Sequence, residues 1–327
     1  LVPKALLKKE WKHVSLLIWA IFIIGFIQFP LMISLKIEEW KTDQDQPFFN
    51  EHIPFEIHSA FSGNLFSIVL LGLILGLSAT FIGKERNSKR HDFSLALPFS
   101  RTSMFMTKMV LGLTTIVISF MISYWIGYFL IAQSEFSYML THLDFLATFV
   151  SPLAGYFVLF TFTMFIGTFT GDARSQLSLS VIFLLLPAGL YLMIREFWMV
   201  HELGYVRFTE LPQRLSWPMY LFDNSFNLLD LLVPIIFGFV FLALGLLLFE
   251  KAPAERSGEF IVFPILKPFF SIGILVCSFL LGGLLMTAFI PYNLPVSARI
   301  IAYWFGALLA VSFAWVISKN FLGLYNR

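Results

Sequence analysis

The chain alternates between long apolar runs and short polar breaks, and the runs have membrane-crossing length. A helix needs about 20 predominantly apolar residues to cross a bilayer. Eight stretches supply them: residues 13–35, 63–83, 103–132, 144–170, 175–194, 231–249, 268–290 and 299–318. The pattern predicts an all-α fold, a polytopic membrane helical bundle of eight transmembrane helices. Residues 36–62 read as a polar loop rich in acid (Glu38, Glu39, Asp43, Asp45, Glu51, Glu56). The longest break, 195–230, holds Trp198, Tyr205, Pro212, Trp217 and Pro218 and is aromatic instead of hydrophilic. It predicts interfacial or re-entrant helices at the outer surface, where Trp and Tyr prefer to sit.

Composition agrees with this class. Of 327 residues, 58% are hydrophobic and 13% charged, and the mean hydropathy is +0.82. A soluble domain carries about 25% charge. The net charge of +2 suggests no nucleic-acid partner. Cys277 is the single cysteine and lies in an apolar run, which predicts a buried, inert thiol. The first apolar run is too long for a cleavable signal peptide and lacks a small-residue cleavage site.

The basic residues set the orientation. With both termini inside, 16 of the 22 Lys and Arg residues face the cytoplasm. They are Lys4, Lys8, Lys9 and Lys12; Lys84, Arg86, Lys89, Arg90, Arg101 and Lys108; Arg174; Lys251, Arg256 and Lys267; and Lys319 and Arg327. The reverse orientation violates the positive-inside rule at nearly every loop. The topology is therefore N-in, C-in.

One polar interruption, residues 84–108, carries the densest positive charge: the six basic residues named above against Glu85 and Asp92. Phe93, Ala96 and Leu97 fall at helical spacing and give a short helix an apolar face. Pro98 disfavours helical geometry at Leu97, and Ser100 can cap a new helix that becomes the third span. The result is an elbow at the membrane surface. Basic juxtamembrane residues alone fit a loop lying on anionic lipid.

Candidate chemistry is sparse. No acidic or basic residue sits in the middle of an assigned span, which counts against a proton-driven antiporter. No P-loop is present, because Gly83-Lys84 is followed by Glu85 and Ser78 stands where the upstream glycine belongs. Any ATP hydrolysis is thus expected from another chain. No catalytic residues, cofactor site or metal site emerge; His52 and His58 beside Glu51 and Glu56 match no standard metal spacing. Gly72 and Gly76, at i and i+4 in the second span, form a small-residue face suited to helix packing or dimer formation. Pro30, Pro152 and Pro187 permit kinks. Thr161, Thr163, Thr168 and Thr170 are expected to bond their own helix backbone.

The string Leu95-Ala96-Leu97-Pro98-Phe99-Ser100-Arg101, with Glu85-Arg86 before it and Lys108 after it, resembles the loop between the first two span pairs of ABC-2 type transporter permeases. In that family the loop holds the coupling helix that docks into the ATPase subunit. The resemblance covers roughly residues 1–250 and implies a six-helix, type V exporter-like core. It also implies short re-entrant helices at 195–230. By this resemblance the coupling residues are Glu85, Arg86, Lys89, Arg90, Phe93, Leu97, Pro98, Arg101 and Lys108. The implied partners are an ABC ATPase subunit, a second permease subunit (itself or a related one) and membrane lipid. Residues 251–327 add a two-helix unit to the six-span plan. The length, the eight spans and the loop Glu255-Arg256-Ser257-Gly258-Glu259 are similar to Ytr-type permeases associated with acetoin utilisation and cell-envelope stress. The implied function is the permease subunit of an ATP-driven exporter. A membrane-embedded sensor or scaffold, and an ion-coupled secondary transporter, are the alternatives.

Overall fold

The computed structural model describes residues 3–45, 49–87, 98–204, 210–222, 226–253, 256, 258–291 and 294–321. The first helical stretch runs well past the expected span. α1 (Lys4–Phe26), a π turn (Ile27–Leu31) and α2 (Met32–Asp43) form 40 continuous helical residues. At 1.5 Å per residue this is roughly 60 Å, about twice the hydrocarbon thickness of a bilayer. Pro30 lies inside the π turn, where the wider turn accommodates its missing N–H without ending the helix.

The extension corrects the reading of residues 36–62 as a polar loop. α2 and α3 (Phe49–Phe61) form a helical hairpin there. Ile33, Ile37 and Trp40 on α2, and Phe49, Ile53, Ile57 and Ala60 on α3, are buried at helical spacing. Most of the acids that made the segment look like a loop are exposed, and Glu56 is held between the two helices. Trp40 Nε1 and Lys36 Nζ both donate to Glu56 Oε2 at 3.1 Å. A 3-10 turn (Ser137–His142) lies against the hairpin, with Phe136 edge-on to Trp40.

The remaining elements follow in order. α4 (Leu65–Phe81) leads into the short α5 (Gly83–Asn87), and α6 (Arg101–Ala132) follows the elbow. Ser100 accepts from the Ser103 amide at 3.2 Å, the cap expected for α6. A second π turn (Leu146–Val150) precedes α7 (Ser151–Phe169), then α8 (Ala173–Val200), α9 (Glu210–Leu215), a 3-10 turn (Trp217–Leu221) and α10 (Leu228–Lys251). α11 (Lys267–Ala288) and α12 (Val296–Phe321) close the chain. Among the described residues, eight helical stretches are long and apolar enough to cross a membrane. The chain is a multi-pass, all-helical membrane protein.

α7 is the central helix. Burial covers 78% of its most apolar stretch, against 22% for α8 and α10 and 11% for the stretch containing α11. Its threonines donate to carbonyls of their own helix, as expected: Thr161 to Phe157, Thr163 to Phe160, Thr168 to Phe165 and Thr170 to Ile166. The segment before α10 packs onto the first turns of α7, with Trp217, Tyr220 and Leu221 buried and the Ser151 hydroxyl donating to the Tyr220 carbonyl.

α11 and α12 pack closely on each other. A Cβ on Gly282 would lie 2.5 Å from the Gly306 carbonyl oxygen, so the two backbones touch. The pair joins the core near the end of α8: Thr287 Oγ1 donates to Glu196 Oε1 at 3.1 Å, and Trp304 Nε1 to His201 Nε2 at 3.1 Å.

Contacts place residues 9–10, 83–87, 101–108, 169–174, 250–252 and 258–262 at one end of the bundle, which is the end rich in Lys and Arg. The α2–α3 hairpin stands at the other. Single cysteines introduced in a Cys277→Ser background test the orientation. Asp45→Cys should react with an impermeant thiol reagent added to intact cells, and Arg174→Cys should react only after permeabilisation. Labelling of position 174 from outside would reverse the topology.

Candidate coupling site

Both flanks of the elbow are fixed inside the bundle by charged side chains. Leu6, Glu10, Val14 and Ile18 follow one another at i+4 along the buried stripe of α1, so Glu10 points inward among apolar neighbours. Lys108, two turns into α6, reaches the same place. Its Nζ lies 3.0 Å from Glu10 Oε2 and 3.0 Å from Glu85 Oε2 on α5. Lys9 Nζ closes the cluster from the rim, 3.7 Å from each carboxylate. Glu10, Glu85 and Lys108 are all buried, whereas Lys9 is partly exposed. Phe81 sits under the ammonium, its ring centroid 5.8 Å from Lys108 Nζ.

The charges balance, two carboxylates against two ammonium groups. Removing one partner from a buried pair leaves an uncompensated charge and costs about 3–5 kcal/mol, although the intact pair need not add net stability. The cluster therefore acts chiefly as a specifier. It ties the start of α1, the end of α4–α5 and the start of α6 into one arrangement.

Arg86 performs a second anchoring. The last carbonyls of a helix have no intrahelical donor and carry the negative end of its dipole. Arg86 Nη1 donates to the carbonyls of Gly167 (3.1 Å) and Thr170, and Nη2 to that of Thr168 (3.1 Å), which satisfies the C-terminus of α7. Burial, and to a lesser extent Arg101, lower its pKa to about 10 against a partial rise from Glu85. The guanidinium stays charged at neutral pH.

Arg101 repeats the device on another helix. Its Nη1 donates to the carbonyls of Glu250 (2.9 Å) and Ala252 (2.8 Å) at the end of α10. Gly83 completes the set: its amide donates to Gln176 Oε1 at 3.1 Å, and Gln176 Nε2 donates to the Thr163 carbonyl at 3.0 Å. A Cβ at position 83 would stand 2.5 Å from Ala173 Cα, so only glycine permits this approach to the first turn of α8.

The residues expected at the coupling site thus divide. Glu85, Arg86 and Lys108 are buried and engaged within the chain, Arg101 is half-buried on α10, and Pro98 is exposed. Lys89, Arg90, Phe93 and Leu97 lie outside the described residues. Among the described residues, nothing lies within 4 Å of a Cβ built on Gly72 or Gly76, so neither is in close contact with another described helix. Sequence reasoning missed Glu10 and Gln176. A lone acid in a basic arm, in register with Leu6 and Val14, was the available signal for the first.

The model of the ABC-2 family transporter proteins matches residues 5–254. The chain belongs to the ABC-2 family. It is a permease subunit of an ABC-2 type transporter, and such permeases work with ATPase subunits. Its 327 residues carry no nucleotide-binding motif. It is similar to the "Probable ABC transporter permease YtrC" of Bacillus subtilis (strain 168), 27% identical over 282 residues that cover 80% of this chain and 81% of the relative. No solved structure matches.

The buried cluster makes a specific prediction for the ABC-2 permease. Lys108→Met should lower stability by about 3–5 kcal/mol, because two carboxylates lose their shared partner. The triple variant Lys108→Met/Glu10→Gln/Glu85→Gln should recover most of that loss. Thermal unfolding in detergent compares them; an unperturbed single variant would show that the pairing does not hold the elbow.

Proposed function

We propose that this ABC-2 permease is the membrane half of an ATP-driven exporter, moved by a separate ATPase through residues 84–108. The observation that supports this reading is the anchoring of the elbow at both flanks. Glu85 and Lys108 join it to α1, Arg86 to the end of α7, Gly83 to α8 through Gln176, and Arg101 to the end of α10. A push on the segment between those flanks would be delivered to several spans at once.

In this reading the contact with the ATPase is made between the anchors. Phe93 and Leu97, one helical turn apart in the sequence, are the apolar groups that enter the ATPase, with Lys89 and Arg90 meeting acidic groups at the rim. Glu85, Arg86 and Lys108 serve by position. Truncating a buried anchor typically costs ~2 kcal/mol or more, whereas a rim charge alters mainly association rate and salt dependence. Phe93→Ala/Leu97→Ala should therefore insert normally but release the ATPase or uncouple hydrolysis from transport. Lys89→Gln/Arg90→Gln should retain the ATPase with a weaker salt dependence. Full retention and coupling in the Phe93/Leu97 variant would defeat the proposal. Movement of substrate into inside-out vesicles on ATP addition tests the direction.

The same reading pairs two permease subunits. Gly72 and Gly76 leave open space beside α4, where an added Cβ meets no described atom within 4 Å. Gly72→Leu/Gly76→Leu should fold as the parent does yet weaken permease–permease association. Mass measurement of the complex in detergent reads this out, and an unchanged dimer would remove α4 from the interface.

A further inference from the structure

The added helix pair does not pack evenly on the core. It is pinned at the outer end, where Thr287 meets Glu196 and Trp304 meets His201. Toward the basic end, α8 and α11 are separated by an apolar cavity of about 320 Å³, lined among others by Leu179, Ile182, Phe269, Gly273, Ile274 and Cys277. A second apolar cavity of about 340 Å³ lies alongside, between α7, α10 and the start of α11, against Phe162, Phe165, Leu248 and Phe263. Phe183 and Phe270 line both cavities, their rings edge-on with centroids 5.8 Å apart. Both volumes fall in the range of small-ligand sites.

The linings define what can enter. Among the described residues, the Cys277 thiol apart, no lining side chain offers a polar atom to orient a polar ligand. Apolar cavities stay dry, and an unfilled one forfeits dispersion contacts on every wall. Ile182, Ile265 and Phe269 at the margins are 54%, 74% and 70% exposed and belong to membrane-spanning stretches. The medium beside the opening is therefore hydrocarbon.

Charge at the basic end points to one class of lipid. Arg174 stands two helical turns before Ile182 on the same side of α8, is exposed, and has no ion pair among the described residues. Lys267 opens α11 beside Phe269 and reaches Glu259 at 3.2 Å from a half-buried position. Basic groups at the cytoplasmic margin between membrane helices favour anionic headgroups.

We propose that the seam between the core and the added helix pair binds an anionic phospholipid. One acyl chain lies between α8 and α11 against Phe183 and Phe270, and the phosphate lies near Arg174 and Lys267. The lipid fills the wedge that the protein leaves open and so couples α11 to α8 at the end where, among the described residues, no direct polar contact joins them.

Gly273 provides the test. It lines the cavity, and a Cβ built on it meets nothing within 4 Å, so Gly273→Leu fills the space from within without a backbone clash. The full chain is reconstituted in vesicles containing phosphatidylglycerol with a photoreactive diazirine in its acyl chain, and labelled peptides are mapped by mass spectrometry. The parent should be labelled on the α8 and α11 peptides that line the seam. Gly273→Leu should lose that labelling while retaining the labelling of lipid-facing Ile301, Phe305 and Leu308 on α12, which also reports that the variant is folded. In the parent, the same probe on phosphatidylcholine should label the seam less, by roughly fivefold for each basic residue engaged. Arg174→Gln/Lys267→Gln should erase that preference. Seam labelling that survives Gly273→Leu would overturn the proposal. So would an absence of seam labelling in the parent, as expected if a second copy of the chain covers the site, or equal labelling by the two headgroups.

Discussion

A single ammonium group, Lys108 Nζ, lies buried at 3.0 Å from two carboxylates, one on α1 and one on α5. Much of the basic end follows from that constraint. A charge of this kind is tolerated in an apolar bundle only when paired and hydrogen-bonded. Glu10 must therefore stay at the first turns of α1, and Glu85 must stay at the end of α4–α5. The elbow between Glu85 and Lys108 has its ends fixed before any partner arrives.

The two arginines extend the same logic through helix termini. Every membrane helix that ends against protein must find donors for its last carbonyls. In α7 and α10 those donors are Arg86 and Arg101, which flank the elbow. Part of what satisfies the ends of α7 and α10 is thus supplied by the flanks of the elbow. Backbone pairing adds a further tie: Val262 donates to the Phe169 carbonyl at 2.8 Å, and Gly171 exchanges bonds with Glu259 and Gly258 at 3.0 and 2.9 Å. A Cβ on Gly171 would come within 2.2 Å of the Glu259 carbonyl oxygen. The link from α10 to α11 therefore touches the turn that Arg86 steadies.

Eight spans were legible because lipid leaves a helix as the only open-ended way to satisfy its backbone, so apolar length alone reveals it. The Ser100 cap and the threonine back-bonds were legible for a related reason, since they are local. The α2–α3 hairpin was obscured because its acids dominate hydropathy, although Ile33, Ile37 and Trp40 already showed the helical period. The string from Glu85 to Lys108 marked a polar break between two spans, but nothing in it showed where its flanking side chains are held. Glu85, Arg86 and Lys108 were expected at the ATPase contact by resemblance; their partners within the chain were hidden, because they lie up to 98 positions away and nothing local marks such a pairing. Gln176 and the seam lined by Phe183 and Phe270 were hidden in the same way.

The central claim is that the elbow flank and the start of α1 move as one body. The most direct measurement is the pulsed EPR distance between spin labels at Lys12 and Asn87, both exposed, in the permease assembled with its ATPase. The distance should be narrow and unchanged between the nucleotide-free and vanadate-trapped states, and should broaden in Lys108→Met. A shift of about one helical turn, ~5.4 Å, on nucleotide binding in the unmodified cluster would contradict it, because the flank would then move without α1.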